Sequence, residues 1–176
     1  EQGCDVVVLD DGFQHWRLSR DLDIVLVDAT QPFCGEHLAP WGRLREQPDA
    51  LARAGAVIIT RADASGAEEL AKLEKDIGRY APQAVLAKAR HHPIALRACG
   101  GNREPLPLEK LNNLPVAAVC GVGNPLGFFH TLRQVGANTL QTTIFDDHCE
   151  YNARKIATRL IPQAEKIGAK AIVVTE

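Results

Sequence analysis

The chain has 176 residues, 45% of them from the set AVILMFWYC and 24% charged, with a formal net charge of -2. That is the profile of a globular protein with a core of its own, which excludes long disorder, collagen-like repeats and coiled coils. A pI near 6.3 offers no broad basic field, so neither nucleic acid nor a polybasic membrane anchor is expected, and the longest apolar runs fall far short of a bilayer span.

In chain order, Cys4–Leu9 is a Val-rich run ending in acids, the pattern of a strand buried on both faces. Ile24–Val27 and Ala56–Thr60 repeat it. Between them, residues 31–48 read as a Pro- and Gly-rich loop, followed by a short helical stretch, Asp49–Ala54. Ser65 is the expected cap of a helix running to Tyr80, with Leu70, Leu73 and Ile77 on one face. Ala84–Ala89 and Ile94–Leu96 read as short strands, and residues 100–113 as a connector. Beyond it come a strand, Val116–Cys120, a helix, Leu126–Val135, a strand, Thr139–Phe145, a helix over residues 152–167 and a strand, Ala171–Thr175. Strands alternating with helices predict an α/β fold with a mostly parallel sheet flanked by helices. Two parts are expected, residues 1–100 and residues 101–176. The chain contains no Met and has strand-like runs at both ends, so it reads as a segment of a larger protein. Five cysteines without a CxxC spacing suggest reduced thiols rather than a disulfide framework.

Chemistry concentrates at a few points. Val6-Val7-Val8-Leu9-Asp10-Asp11 delivers carboxylates at the end of an apolar run, where nucleotide-binding α/β proteins place an acid on Mg2+; such strands also end in Asp simply to open a turn. Gly12-Phe13-Gln14-His15-Trp16-Arg17 follows at once, dense in polar groups. In Gly42-Arg43-Leu44-Arg45-Glu46, Arg45 can offer a guanidinium to phosphate oxygens and Glu46 a carboxylate to a metal, or the two can be surface ion-pair partners. Asp146-Asp147-His148-Cys149 precedes a helix, where Asp147 serves as a cap or His148 as a catalytic group. Gly121-Val122-Gly123-Asn124-Pro125 is a strand–turn–helix junction, and Thr60-Arg61-Ala62-Asp63 has the outline of a base-reading turn. No GxxxxGK[ST] phosphate loop occurs.

Taken in order, Asp10 to His15 with Arg17-Leu18, Arg20-Asp21 and Asp23-Ile24-Val25 closely resembles the central signature of the tetraacyldisaccharide 4'-kinase family, which phosphorylates the lipid A precursor of Gram-negative bacteria. Gly42 to Glu46, Cys120 to Pro125 with Phe128-Phe129, Phe145 to His148, and Thr175-Glu176 fall in the family's order. The resemblance implies a P-loop NTPase-like kinase core using ATP and Mg2+ at the cytoplasmic face of the inner membrane, with an acylated glucosamine disaccharide as substrate. On that basis residues 1–100 are the remainder of the nucleotide-binding core and residues 101–176 a C-terminal α/β part. The resemblance assigns Asp10, Asp11 and Glu46 to the metal and Gly12 and Arg45 to the nucleotide. It sets Gln14, His15, Arg45, Asp147 and His148 in the catalytic site. Cys149 stands where the family often has a second His. The family's phosphate loop and membrane-associating helix would precede residue 1, so the segment alone is expected to bind Mg-ATP feebly and to transfer no phosphate. Two other readings stand beside this one. A nucleotide-dependent GTPase or metal-chaperone-like switch would show a preference for GTP. A non-catalytic α/β binding domain would bind no metal near Asp10, Asp11 and Glu46.

Overall fold

The computed structural model describes residues 3–35, 37–42, 44–99, 104–145, 154 and 156–175. They divide into two compact units, Glu1–Arg90 and His91–Glu176. The division falls ahead of the expected connector because Leu96 exchanges both backbone hydrogen bonds with Leu106, at 2.9 and 2.8 Å, which ties the stretch after Arg90 to the second unit. Among the described residues there are two sheets instead of one, each of three parallel strands.

In the first unit, β1 (Ile24–Asp28), β2 (Ala56–Thr60) and β3 (Val85–Lys88) pair in that order. Parallel neighbours need a crossover, and α1 (Ala67–Tyr80) supplies it between β2 and β3. The β2 pattern sends Val57 and Ile59 inward, both fully buried, and the Leu73 and Ile77 stripe of α1 joins them in one core with Leu51 and Val27. The cap of α1 is Gly66 rather than Ser65: Glu69 Oε2 accepts the Gly66 N–H at 2.7 Å, the glutamate half of a capping box, while Gly66 has no side chain to accept from the N–H groups of the first turn.

The Cys4–Leu9 run is corrected by the structure. It forms no strand, and Val6, Val7 and Val8 are 75%, 82% and 88% exposed. A buried parallel strand requires a neighbouring ladder, and β1 pairs only with β2 among the described residues. Ile94–Leu96 is likewise no strand; its pairing is the single Leu96 bridge, and Pro93 just ahead of the run has no N–H to donate.

In the second unit, β4 (Pro115–Cys120) lies between β5 (Asn138–Ile144) and β6 (Ala171–Val174). Its continuous apolar sequence is buried from Val116 to Cys120, as a central strand covered on both faces requires. Burial also pushes the Cys120 thiol pKa up. α2 (Pro125–Gln134) follows β4, packing Phe128, Phe129 and Leu132 on the core of Leu111, Val116 and Ala118. Before β6 come a π-helical turn, Ile156–Leu160, and α3 (Ile161–Lys166); the beginning of the helix expected over residues 152–167 lies outside the described residues.

Asn124 is the N-cap of α2, its Oδ1 accepting the Gly127 N–H at 3.2 Å, with Pro125 in the first helical position. Asn124→Ala is expected to cost about 1 kcal/mol, read as a lower urea midpoint at unchanged slope; an unchanged midpoint would remove the cap from this account.

Candidate functional site

Residues 10–16 form a sequence of tight turns. Asp11 sits at φ 55, in the left-handed region that Asp tolerates better than most residues. The Gly12 carbonyl accepts the His15 N–H at 2.9 Å, and the Gln14 carbonyl accepts that of Trp16 at 3.0 Å. Arg20 closes the segment. It donates to the His15 and Leu18 carbonyls at 2.7 and 2.9 Å and forks onto Asp23, Nε to Oδ1 at 2.7 Å and Nη2 to Oδ2 at 3.2 Å. Asp23 in turn accepts, through its carbonyl, the Gly55 and Ala56 N–H groups that begin β2. The signature's Arg20 and Asp23 are therefore ties between the turn and the sheet.

The second loop is clipped between His37 and Leu44: Ala39 N donates to Leu44 O, Leu44 N to His37 O and Gly42 N to Leu38 O. A Cβ on Gly42 would strike the His37 backbone carbonyl, so the motif's glycine is demanded by close approach of main chain to main chain.

These two loops meet. Arg45 Nη1 donates to Asp11 Oδ2 at 2.5 Å, with both side chains mostly in solvent. Gln14 Nε2 donates to Glu46 Oε1 at 2.8 Å. Glu46 also takes a forked pair from Arg53, Nη2 to Oε1 at 3.0 Å and Nη1 to Oε2 at 2.9 Å. The Arg53 hydrogen bond, and secondarily that from Gln14 and the positive charge, hold the Glu46 carboxyl below the usual carboxylate range against the opposing effect of burial. The Arg53 guanidinium lies over two rings as well, 4.3 Å from the centroid of Phe13 and 4.2 Å from that of Trp16.

Of the expected site residues, the structure joins Asp11 to Arg45 and Gln14 to Glu46. Asp10 and His15 are exposed beside them. Asp10, Asp11 and Glu46 do not come together as one metal-holding set: no group of three or more His, Cys, Asp and Glu side chains suited to an ion occurs among the described residues. Asp11 and Glu46 are each paired with a different guanidinium instead. Asp147 and His148 lie outside the described residues. Arg53 was missed. Its signal was an Arg in Leu51-Ala52-Arg53-Ala54, set among small and apolar residues just ahead of a buried strand; that Phe13 and Trp16, far back in the sequence, receive it is set by the fold.

The carboxyl ends of parallel strands are where open α/β sheets bind ligands. In the first unit that edge carries Asp28, which accepts Thr30 N and Oγ1 at 2.9 and 2.7 Å and is ion-paired with Arg61, itself at φ 53. The Thr60–Asp63 turn is thus tied back to β1. In the second unit the register Cys120↔Ile144 and Val119↔Val174 brings three strand ends level, and Phe145 N donates to Cys120 O at 2.8 Å. The Gly121–Pro125 junction, Phe145 and Thr175 therefore leave the sheet at one edge.

Crossover-linked parallel sheets, with carboxylates, guanidiniums and an amide gathered in one cluster where two loops meet, define an α/β protein. The family model described as LpxK, tetraacyldisaccharide-1-P 4'-kinase, matches residues 1–176, and the chain belongs to that family. Tetraacyldisaccharide 4'-kinase of Anaeromyxobacter dehalogenans (strain 2CP-C) is 41% identical over 174 residues, 99% of this chain and 45% of that protein. The proteins of the same name from Geobacter metallireducens and Halothermothrix orenii are 38% and 33% identical, over 97% and 98% of this chain and 47% of each relative. A crystal structure of LpxK from Aquifex aeolicus in complex with ATP aligns at a TM-score of 0.49 and 24% identity, covering 82% of this chain and 41% of that one. The chain spans less than half the length of these relatives.

Proposed function

We propose that this chain carries part of the active site of an ATP-dependent kinase that phosphorylates the 4' hydroxyl of a tetraacyldisaccharide 1-phosphate in lipid A synthesis. The observation that supports it is the direct contact between the Asp10–Trp16 turn and the Arg45–Glu46 loop, two signature stretches separated by 32 positions at the Gln14–Glu46 hydrogen bond. Family membership supplies the reaction class.

Phosphoryl transfer asks the protein for positioning and for neutralisation of charge on the phosphoryl oxygens. Arg45 suits the second task, because its guanidinium is exposed and its partner Asp11 is an exposed carboxylate from which a phosphate can compete it away. Gln14 adds a neutral donor amide at the same junction. Asp147 and His148 are proposed beside the attacking hydroxyl, as the resemblance implies. For the Mg2+ that the resemblance also implies, the described carboxylates do not fit as they are arranged, since Asp11 and Glu46 spend oxygens on Arg45 and Arg53.

The proposed setting is the cytoplasmic face of the bacterial inner membrane, reached through regions outside this chain. Among the described residues no helix is long and apolar enough to cross a membrane.

The test is transfer of labelled γ-phosphate from ATP to tetraacyldisaccharide 1-phosphate by the protein carrying this chain, intact and as His148→Ala. Labelled 4'-phosphate product that falls by roughly 100-fold or more in the variant is expected. Absence of product from the intact protein, or an undiminished rate in the variant, would refute the proposal.

A further inference from the structure

Arg53 lies outside every motif singled out in the sequence, yet the cluster converges on it. Its backbone is firmly held. It ends the short 3-10 helix Pro48–Arg53, whose Leu51 is buried, and Ala54 N donates to Leu51 O at 2.9 Å. Gly55 then bonds to Asp23, and β2 begins at Ala56. The guanidinium thus extends from the sheet's edge into the two loops.

Each face of this group's chemistry is used. The planar fork of N–H donors matches both Glu46 oxygens, which a lysine ammonium cannot do. The delocalised cation lies over the rings of Phe13 and Trp16, residues of the same turn that presents Gln14. Gln14 and Arg53 meet at one atom, Glu46 Oε1.

We infer that Arg53 is a positioning residue: forked onto Glu46 and lying over Phe13 and Trp16, it locks the Gly12–Trp16 turn and the Arg45–Glu46 loop to the start of β2. The lock is a property of the chain. Its catalytic consequence rests on the kinase reading: Arg45, next to Glu46, is held where it faces Asp11.

Two arms of one experiment separate these. In the 176-residue chain, the Arg53 δ-methylene proton resonances, free of the downfield shift that the Glu46 hydrogen bonds give the guanidinium N–H protons, are expected upfield of free arginine through the ring currents of Phe13 and Trp16. Trp16→Phe, which keeps an aromatic face, retains that shift, and Trp16→Ala reduces it. In the protein carrying this chain, Arg53→Lys lowers kcat by roughly 10- to 100-fold, since a displacement of about 1 Å is enough for that. KM for ATP stays within about threefold, the pattern of a lost transition-state contact. Arg53 resonances at free-arginine positions, or an Arg53→Lys protein with unaltered kcat, would overturn the inference. Should Arg53→Lys fail to fold, Trp16→Ala replaces it in the kinetic arm, its indole being largely exposed. A wild-type protein that transfers no phosphate refutes the kinase reading, and the resonance positions then decide the lock alone.

Discussion

Arg45→Ala is expected to lower kcat for phosphoryl transfer by roughly 100- to 1,000-fold, the cost of removing one charge-stabilising donor from a transition state. Arg45 does little else. Its described partner is Asp11, and the pair is exposed, with side chains 61% and 65% accessible. Pairs of that kind contribute about 0–1 kcal/mol to stability. The variant should therefore melt close to the parent, and its loss of rate reports chemistry rather than unfolding. Arg45→Lys keeps the charge but not the planar fork, and should recover only part of the rate. The check is steady-state kinetics beside thermal unfolding of all three proteins. Full activity in Arg45→Ala would remove Arg45 from the phosphate.

The largest stability effect is expected at Ile59. It is fully buried on the middle strand of the first sheet, flanked by β1 and β3 and covered by Leu73 and Ile77. Ile59→Ala leaves a cavity among groups held on several sides, and such sites relax little. A loss of about 2–5 kcal/mol follows, a large share of the roughly 5–15 kcal/mol that holds a domain together. Leu26→Ala on β1 is the control, because Leu26 is 64% exposed and its truncation should stay within about 0.5 kcal/mol. Urea unfolding followed by far-ultraviolet circular dichroism distinguishes the two. Equal shifts in both variants would mean that β2 does not form the centre of this core.

How much of this was legible depended on whether a signal was local. The apolar runs at β1, β2 and β4 announced strands, and the Leu70, Leu73, Ile77 spacing announced α1, because those patterns are written within each element; the burial expected on both faces of β1 was not met, since Ile24 and Leu26 are exposed. The Val6–Leu9 run carries the same signal as β1, and nothing inside it distinguishes a run that finds a neighbouring ladder from one that does not. Ser65 was expected as a cap because Ser outranks Gly in that role. Glu69 reaching back to Gly66 displaced it, an interaction that depends on the rotamer of a residue one turn away. The contact between the Asp10–Trp16 turn and the Arg45–Glu46 loop was anticipated only through the family resemblance. Its actual partners were not: Asp11 was expected at a metal and is paired with Arg45, and Glu46 is held by Arg53. Opposite charges far apart in sequence find one another through the fold, and no local spacing records which guanidinium reaches which carboxylate.

Asp23 has a consequence for how the molecule assembles. One residue fastens Arg20 through its carboxylate and the opening of β2 through its carbonyl, while Arg53 stands two places before Gly55. A slip of β1 against β2 by a single residue would drag Arg53 off its aromatic seats and would turn Val57 and Ile59 towards water. Misalignment is thus penalised twice, once in the sheet and once in the polar junction. Correct strand alignment and a competent junction should accordingly arise, and disappear, as a single event.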